Sequence, residues 1–535
     1  MINSDTSTHR PSFTPTFPVN VAPDKTDNPV PENWFEQFGT GPSVTPRFAT
    51  ILAGFEYFAA TQPDALAVEC GGQSVSYKAL DEAAGRLAYR LSEAGIGHGD
   101  AVGLYLQRSI PMVVGILACM KVGAYYIPQH VGVATDKSIR HISAVTGARV
   151  VLTLEELADA IPLIEGQTLM VLEHRLGASD APRLSAPSPL QGEDLCMVLF
   201  TSGTTGVPNG VQVTHKNLCN ILQTAPGDLG MRPGLRVGQI LSIAFDMAAW
   251  ETLGALSNGA TLVIRGHDIQ ETASMVDVLI ATPSILGALD AEACRQVRTV
   301  AVAGEPCPRP LADKWSGFCE FFNSCGPTET TIINTAIRHM PDKELLTIGK
   351  PTPNNTVYVL DDDLNPVPFG ALGAMWAGGD CVTAGYLANP DLNADRYKPD
   401  PFRPGHMMFN TRDLGAWTDT GELLHFGRVD DLVKIRGFRV ELDGVSRALE
   451  ATENCDQAVT LKFDDRTLVA FVSPANVCPH KAMASVERML PYYCRPEIVL
   501  PMEHLPRTAR GKLDKRLLLA KAADALNAAN VRAAE

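Results

Sequence analysis

From about Phe48 onward, helical patterns alternate along the chain with short apolar runs, and this alternation is the strongest constraint on the fold. One helical pattern covers Tyr77 to Ala94, and apolar runs cover Ala101 to Tyr105, Val150 to Leu154 and Leu262 to Ile264. Segments of this kind in this order form largely parallel sheets covered by helices. The sequence therefore predicts an α/β architecture.

The chain divides into unequal parts. Its 535 residues are too many for one hydrophobic core, so two or three packed units are expected. Residues 1–45 are rich in Pro, Ser, Thr and Asn, which predicts a flexible tail or an extended strap. A Gly-rich strand and turn region at 421–442 predicts a hinge before a small domain. We predict a core domain at 46–429, a mobile lid domain at 430–520 and a C-terminal tail at 521–535.

Composition excludes several function classes. The formal net charge of -15 argues against a nucleic-acid partner, because phosphate binding needs clustered Lys and Arg. The most apolar stretch, Pro111 to Pro128, contains Lys121 and Gly123, which predicts no membrane span. The N-terminus lacks a signal-peptide pattern, and the 12 Cys form no CxxC pair. We therefore expect a cytoplasmic protein with reduced thiols.

The segment from Leu199 to Val211 is the strongest local motif, a loop of glycines and hydroxyl residues after an apolar run. Glycines allow a backbone to approach phosphates closely, and hydroxyls donate to phosphate oxygens. The alternative is an ordinary Ser/Thr/Gly surface loop. It is not a Walker loop, because no Gly-Lys-Ser/Thr follows at the required spacing.

Further motifs follow this loop in a fixed order, and the set resembles the adenylate-forming superfamily. That superfamily holds acyl-CoA synthetases, luciferases and the amino-acid-activating adenylation domains of nonribosomal peptide synthetases and related reductases. The resemblance implies a large N-terminal domain of stacked α/β sheets plus a distorted β-barrel, with a small α+β C-terminal lid. The motifs are Phe245 to Glu251, Gly304 to Pro306, Asn323 to Glu329, Thr411 to Asp413, Gly427 to Gly437 and Leu505 to Asp514.

The resemblance implies an ATP site. Asp413 would accept the ribose hydroxyls, since a carboxylate has two acceptor oxygens, and Arg428 would reach the nucleotide. The alternatives are a turn aspartate at Asp413 and an interdomain salt bridge at Arg428. The implied ATP-binding residues are Thr201, Ser202, Gly203, Thr204, Thr205, Gly206, Gly304, Glu305, Pro306, Asn323, Ser324, Cys325, Gly326, Thr328, Asp413 and Arg428.

Three residues receive single roles from the resemblance. Lys512 would be the catalytic cation that bridges the substrate carboxylate and the α-phosphate, because two anions must be brought together. Glu329 would hold Mg²⁺, a hard cation suited to carboxylate oxygen. Asp430 would be the hinge at which the lid turns between two half-reactions. The alternatives are a solvated surface lysine, a helix-start glutamate and an ordinary loop aspartate.

The implied substrate pocket favours an amino acid. In the resembling domains an aspartate pairs with the substrate α-ammonium, and Asp246 stands there; a helix cap is its alternative. The other positions are apolar or small, which suits an aromatic or large apolar side chain. Trp250 would also allow a betaine by cation–π attraction, or would be a core residue. The implied lining is Asp246, Met247, Trp250, Ile280, Ala301, Ala303, Ser324, Ile332 and Ile333.

Three positions depart from the family pattern. Asn209 replaces a lysine of the phosphate loop, Cys325 replaces the aromatic residue that stacks on adenine, and Arg412 replaces a glycine before Asp413. We nevertheless predict ATP- and Mg²⁺-dependent acyl-AMP formation, followed by thioester formation on a carrier-protein phosphopantetheine or on coenzyme A. The alternatives are an acyl- or aryl-CoA synthetase and an inactive nucleotide-binding scaffold. The segment 508–516 looks like that of fungal synthetase-like reductases.

Overall fold

The computed structural model describes residues 34–129, 131–174, 181–184, 188–201, 208–428, 432–436, 438–506 and 513–534. Seven of the predicted site residues lie outside these ranges, so their roles stay predictions. They are Ser202, Gly203, Thr204, Thr205, Gly206, Asp430 and Lys512.

Several helices begin where a Ser or Thr side chain accepts a hydrogen bond from a backbone N–H of the first turn, as at Thr50, Ser76 and Thr214. Short 3₁₀ segments lie at Glu155–Ala160, Glu292–Cys294, Thr328–Thr330 and Tyr492–Cys494, and a π-helical turn at Phe35–Gly39. The helices are α1 Ile51–Thr61, α2 Tyr77–Glu93, α3 Ile110–Lys121, α4 Asp136–Thr146, α5 His215–Leu222, α6 Asp246–Ser257, α7 Ile269–Ala273, α8 Pro283–Gly287, α9 Arg309–Ser316, α10 Pro390–Arg396, α11 Leu442–Glu450, α12 Pro479–Met489 and α13 Lys515–Ala534.

The strands are short, and several of those in the parallel sheets are buried along their whole length because helices cover both faces. They are β1 Leu66–Cys70, β2 Gln73–Ser76, β3 Ala101–Tyr105, β4 Tyr125–Pro128, β5 Val150–Leu154, β6 Thr168–Leu172, β7 Leu195–Thr201, β8 Asn209–Thr214, β9 Arg236–Gln239, β10 Thr261–Ile264, β11 Val278–Ala281, β12 Thr299–Val302, β13 Glu320–Cys325, β14 Thr335–Arg338, β15 Lys350–Pro351, β16 Asn355–Leu360, β17 Gly373–Gly379, β18 Tyr397–Pro399, β19 Met407–Trp417, β20 Leu423–Arg428, β21 Leu432–Ile435, β22 Phe438–Glu441, β23 Gln457–Lys462, β24 Leu468–Ser473 and β25 Ile498–Pro501.

Two mainly parallel sheets and one antiparallel sheet form the larger part of the molecule. The nine-stranded sheet has the order β15-β14-β13-β12-β11-β9-β10-β1-β2, and the six-stranded sheet has the order β6-β5-β3-β4-β7-β8. Strands β16, β17, β19, β18 and β20 form the antiparallel sheet. One large core of apolar side chains joins the helices to the two parallel sheets. The predicted α/β fold class is confirmed.

The C-terminal part has cores of its own. Strands β21 and β22 pair as a hairpin, and β23, β24 and β25 form a mixed three-stranded sheet. Two apolar clusters draw their members from this part alone, one between its sheet and α11 and α12, the other beside α13. A separate core is what a small α+β domain requires.

The structure changes the predicted ends of the chain. Trp34 is 7% exposed, and Trp34 and Phe35 pack against Tyr358 and Phe402, so residues 34–45 are not a flexible tail. The other prediction for this stretch, an extended strap over the surface, agrees with the structure, because its aromatic rings are buried against the antiparallel sheet. The predicted boundary at 520/521 falls inside α13, whose Leu518 and Ala522 are both buried.

Among the described residues, no helix combines the length and the apolar character needed to cross a membrane.

Candidate active site

A cavity of about 330 Å³ lies where the carboxyl ends of β7, β12 and β13 meet the first turn of α6. Ligands bind at this edge of parallel α/β sheets because the connecting loops leave a crevice there. Most of the predicted site residues that are described line this one cavity. They are Thr201, Asp246, Met247, Ala303, Gly304, Glu305, Pro306, Asn323, Ser324, Cys325, Gly326, Thr328, Ile332, Asp413 and Arg428.

Four predicted pocket residues lie outside the cavity lining. Trp250, Ile280, Ala301 and Ile333 are all buried in the main core. The indole Nε1 of Trp250 donates to the carbonyl of Gly227 at 2.6 Å, and its ring is 0% exposed. Trp250 is therefore a core residue. Neither face of its ring is open to a substrate ammonium, so the ring cannot make a cation–π contact in this arrangement.

Asp246 is the first residue of α6 and lies in the cavity wall. Its Oδ1 accepts a hydrogen bond from the Met247 backbone N–H at 2.8 Å. Burial raises the pKa of the carboxyl, while the charge of Lys434 and a hydrogen bond from the Thr328 hydroxyl act to lower it. A carboxylate in this position gains stability from any cation that enters the cavity.

Lys434 supplies one such cation from the small domain. It lies on β21, lines the cavity, and its Nζ would be 3.4 Å from a methyl group placed on Gly304. Sequence reasoning placed this lysine in a hinge motif and gave it no role in the site. Its position between the apolar residues Val433 and Ile435 was the available signal, since alternation puts it on the opposite face of the strand.

Asp413 and Arg428 occupy the other end of the cavity. They are direct cross-strand partners in β19 and β20, and Arg428 Nη1 donates to Asp413 Oδ1 at 2.9 Å. Arg428 also donates to the carbonyl of Thr411 at 2.8 Å. Both residues belong to one sheet. This contact is therefore not the salt bridge between domains that was considered for Arg428.

His425 adjoins this pair and was missed by sequence reasoning. Its Nε2 is 3.5 Å from Asp413 Oδ1, and its ring lines the cavity. Burial of Asp413 would raise its pKa, but the hydrogen bond with His425 and the charge of Arg428 lower the pKa below the ordinary value. Asp413 is thus held as a carboxylate. The strand register pairs His425 with Gly415, two residues from Asp413, so the sequence alone could not show that the ring lies beside Asp413.

Glu329 is fully buried and is not part of the cavity lining. Its Oε1 accepts a hydrogen bond from the Tyr386 hydroxyl at 2.7 Å, and the neighbouring Thr328 lines the cavity. Starting two residues after Glu329, Thr331 and Ile332 have φ of 51° and 74°. Left-handed backbone is costly for β-branched residues, and such strain concentrates at functional sites.

The three departures from the family pattern have separate surroundings. The amide Oδ1 of Asn209 accepts from Asn389 Nδ2 at 3.0 Å, and Arg412 Nη2 contacts Asp395 Oδ2 at 2.6 Å. Arg412 has a φ of 58°, a conformation that glycine adopts without cost. Cys325 lines the cavity, and burial raises the pKa of its thiol to about 12. Its side chain is therefore a neutral thiol at neutral pH.

An aromatic cluster joins the two domains at the cavity. Phe438 stacks on Tyr493 with ring centroids 4.2 Å apart and planes at 10°, and its edge meets Phe245 at 5.4 Å. Phe245 and Tyr493 also line a second cavity of about 100 Å³, which shares Phe200, Thr201 and Ala244 with the first. The two spaces therefore adjoin at these rings.

The sequence profile described as AMP-binding enzyme matches residues 55–387. The chain belongs to this family of AMP-binding enzymes. It is an adenylate-forming enzyme of the kind found as adenylation domains in nonribosomal peptide synthetases, which confirms the predicted resemblance and the predicted enzyme class. The family uses ATP with a divalent metal ion.

Individual relatives agree with the family. The chain is 43% identical over 492 residues to adenylate-forming reductase 03009 of Coprinopsis cinerea, covering 90% of this chain and 48% of that protein. It is 32% identical over 477 residues to the nonribosomal peptide synthetase sirP of Leptosphaeria maculans, covering 89% and 22%. The chain thus spans less than half the length of these two curated relatives.

A solved structure shows the same fold. An artificially fused adenylation and PCP di-domain from Klebsiella oxytoca superimposes with a TM-score of 0.76 at 22% identity. The match covers 85% of this chain and 94% of that one.

Proposed function

We propose that this enzyme uses ATP and Mg²⁺ to convert an α-amino acid into an aminoacyl-adenylate and then transfers the acyl group to a phosphopantetheine thiol on a carrier protein. The observation that carries the proposal is the carboxylate of Asp246, which is half-buried in the wall of the cavity that Asp413 and Arg428 also line and whose pKa is raised by desolvation. An acid with an α-ammonium would place a cation beside this carboxylate and stabilise its ionised form.

The nucleotide would occupy the end of the cavity that Asp413 lines. Asp413 would accept the ribose hydroxyls through the oxygen atoms that Arg428 leaves available. The backbone beside Gly304 and Gly326 and the side chain of Asn323 would contact the adenine. The segment from Ser202 to Gly206, outside the described residues, would cradle the phosphates, and Lys512 would neutralise the charge that develops as the carboxylate attacks the α-phosphate.

Glu329 would hold Mg²⁺. The described residues contain no group of three or more His, Cys, Asp or Glu side chains that could bind a metal by themselves. One carboxylate with ATP phosphate oxygens and water is the ligand set that Mg²⁺ commonly takes, so the donor type fits the ion. Glu329 is fully buried and outside the cavity lining, so its carboxylate would have to turn away from the Tyr386 hydroxyl to reach an ion bound to the phosphates. Bound there, the ion would offset the negative charge of the phosphates.

The second cavity supports the acyl transfer step. It lies beside Phe245 and Tyr493 and is lined largely by apolar side chains of both domains. A small, largely apolar cavity would suit the slender pantetheine arm, and the carrier partner is proposed from the adenylation and PCP fusion named above. The side chain of the amino acid would rest against Met247, Ala303 and Ile332, so it has an apolar body.

The test is acid-dependent pyrophosphate release with hydroxylamine to trap the adenylate, run across amino acids, betaines and aryl acids. We expect one amino acid to give a signal that Lys512→Ala and Asp246→Asn both abolish. Asp342→Asn is the matched control, since Asp342 is exposed and is not part of the cavity lining.

Other outcomes would identify the rival functions. A signal from an acid without an ammonium, unaffected by Asp246→Asn, would indicate an acyl- or aryl-CoA synthetase. Silence across the whole panel, with ATP still bound, would indicate an inactive scaffold and would overturn the proposal.

A further inference from the structure

Two arginines lie at the carboxyl ends of parallel strands without an ion pair to any described residue. Arg108 lies just after β3 of the six-stranded sheet, and Arg265 directly follows β10 of the nine-stranded sheet. Both side chains are half-buried, and neither lines the two cavities described above. The carboxyl ends of parallel strands are where α/β sheets leave room for ligands. A further site can therefore form at these arginines.

One short segment, Gln239 to Leu241, anchors both arginines. The backbone N–H of Arg265 donates to the carbonyl of Gln239 at 3.1 Å, which continues the pairing of β10 with β9 by one residue. The Nε of Arg108 donates to the carbonyl of Leu241 at 2.9 Å. The two carbonyls belong to residues two positions apart, so arginines from two different sheets meet at one point of the fold.

The two guanidinium groups act on each other electrostatically. Burial and then the charge of Arg265 lower the pKa of Arg108 to about 10, while the charge of Glu251 acts in the opposite direction. Arg108 therefore keeps its proton at neutral pH. Two like charges in a half-buried position destabilise each other, and an anion between them would remove that repulsion.

Glu251 does not neutralise the pair. Its Oε1 accepts hydrogen bonds from the N–H groups of Ile240 and Leu241 at 2.9 and 3.2 Å, and its Oε2 accepts one from Gln239 Nε2 at 3.2 Å. The carboxyl is thus engaged by the anchoring segment itself. Burial raises the pKa of Glu251 to about 8, so the group is mostly protonated at neutral pH and leaves both arginine charges uncompensated.

The Nε of Arg265 shows the missing acceptor most directly. This atom is buried and has no hydrogen-bond partner in the part of the chain that the structure describes. Asp268, the next acidic residue along the chain, is used to cap α7, where it accepts a hydrogen bond from the Gln270 N–H at 2.8 Å. A buried charged donor without an acceptor is destabilising, and a ligand oxygen would satisfy it.

Arg236 shows how the same sheet satisfies an arginine elsewhere. It begins β9, at the opposite end of the strand from Gln239. Its two terminal nitrogens donate to the two carboxylate oxygens of Glu69 at 3.1 and 2.6 Å. A guanidinium is well satisfied by such a paired acceptor. At Arg108 and Arg265 the described protein provides no carboxylate in this role, so the acceptor must come from a ligand.

We propose that Arg108 and Arg265 form a binding site for a phosphate group, separate from the nucleotide and acyl-transfer cavities. Guanidinium groups present parallel N–H donors that match phosphate oxygens, and two positive charges balance a phosphate dianion better than a monovalent carboxylate. The exposed residues Gln107 and Gly266 adjoin the arginines, so a ligand reaches them from solution. Free phosphate and pyrophosphate share this chemistry. The proposal does not depend on the proposed function.

The experiment is thermal unfolding of the full chain at increasing phosphate concentration, with ionic strength held constant by sodium chloride. Binding at a specific site gives a stabilisation that follows a saturation curve, whereas the general exclusion of phosphate from protein surfaces does not saturate. Arg265→Gln and Arg108→Gln should each raise the phosphate concentration for half-maximal stabilisation at least about tenfold. Each variant is compared with its own Tm without phosphate, which separates ligand binding from a change in stability.

Arg236→Gln is the matched control, because it removes an arginine of the same sheet whose charge is already paired. It should leave the phosphate response unchanged. ATP titrated in the same assay should give a half-maximal concentration within about twofold of the wild type in Arg265→Gln and Arg108→Gln. Pyrophosphate is titrated as well, and the anion that saturates the Arg265-dependent response at the lower concentration is the preferred ligand.

Three results would overturn the proposal. The first is a wild-type response to both anions that does not saturate. The second is a saturable response that Arg265→Gln and Arg108→Gln both retain unchanged. The third is an equal weakening of the phosphate and ATP responses, which would place the arginines in the nucleotide site. None of these results depends on which acid the enzyme activates, so they leave the proposed function to its own test.

Discussion

Arg428 Nη1 lies 2.9 Å from Asp413 Oδ1, and the two residues face each other across adjacent antiparallel strands. Asp413 is only 6% exposed, so its charge depends on this partner. The same pair forms the predicted ribose end of the cavity. Structural stability and nucleotide binding are therefore linked at one carboxylate.

The Arg428 side chain should contribute strongly to stability. Arg428→Met leaves a buried carboxylate without its main partner, which costs about 3–5 kcal/mol for a buried pair. Urea unfolding measures the loss. Arg495→Met is the control, because Arg495 and Glu487 form an exposed pair that should contribute less than about 1 kcal/mol. Equal losses in the two variants would contradict this reading of Asp413.

Restoring a ring at position 325 should strengthen ATP binding. Cys325 lines the cavity close to Ile348 in an apolar cluster, and a stacked aromatic pair contributes about 0.5–1.5 kcal/mol beyond its buried area. Cys325→Tyr should therefore lower the KM for ATP about fivefold. Steady-state pyrophosphate release at varied ATP measures this. Cys478→Tyr, at an exposed position, should leave the KM unchanged.

The stack of Phe438 on Tyr493 should matter for acyl transfer more than for adenylation. The stack lies within the small domain and supports the ring of Phe438, whose edge meets Phe245 of the larger domain. Tyr493→Leu removes the stacked ring and should lower the rate of transfer to a carrier thiol roughly 2- to 10-fold, with smaller effect on adenylate formation. Single-turnover assays of the two steps distinguish them. Tyr493→Phe keeps the ring and should keep the transfer rate; a loss as large as that of Tyr493→Leu would exclude stacking as the cause.

Trp250 should affect stability without setting substrate preference. Trp250→Phe leaves the buried carbonyl of Gly227 without its donor, which costs about 1–3 kcal/mol. The relative kcat/KM values across the amino-acid panel should not change, because the ring does not line the cavity. If Trp250→Phe changed the ranking of substrates, measured by pyrophosphate release, Trp250 would contact the substrate after all.

Glu251 should make stability fall as pH rises through neutrality. Burial raises the pKa of Glu251 to about 8, although N–H groups of Ile240 and Leu241 and the charge of Arg108 favour its ionised form. The unfolded carboxyl titrates near 4.5. Between these values the folded state holds a proton that the unfolded state has lost, so the free energy of unfolding should decrease by up to about 1.4 kcal/mol per pH unit.

The measurement for Glu251 is urea unfolding between pH 5 and pH 9. The decrease should level off above about pH 8, and Glu251→Gln should remove most of the slope. Glu453→Gln, with a side chain 75% exposed, should leave the slope as it is. A wild-type stability that rises steadily across this range would show that Glu251 is ionised in the folded protein.

Local patterns predicted much of the fold. The helical pattern at Tyr77 to Ala94 corresponds to α2, and the apolar runs at 101–105 and 150–154 are β3 and β5 residue for residue. Such elements are readable because the 3.6-residue and two-residue periods record which side chains face the core. The two ends of the chain were harder to predict, because the packing of Trp34 and the length of α13 depend on contacts with residues far away in the sequence.

The sequence by itself determined the family, the α/β fold class and the order of the motifs, because these depend on residue identities and spacings along the chain. Only the tertiary structure decided what each motif touches. It placed Trp250 in the core, brought Lys434 from the small domain into the cavity, set His425 beside Asp413 and left the Ser324 hydroxyl without a partner. These facts depend on strand register and on packing between distant segments, and neither has a local signature in the chain.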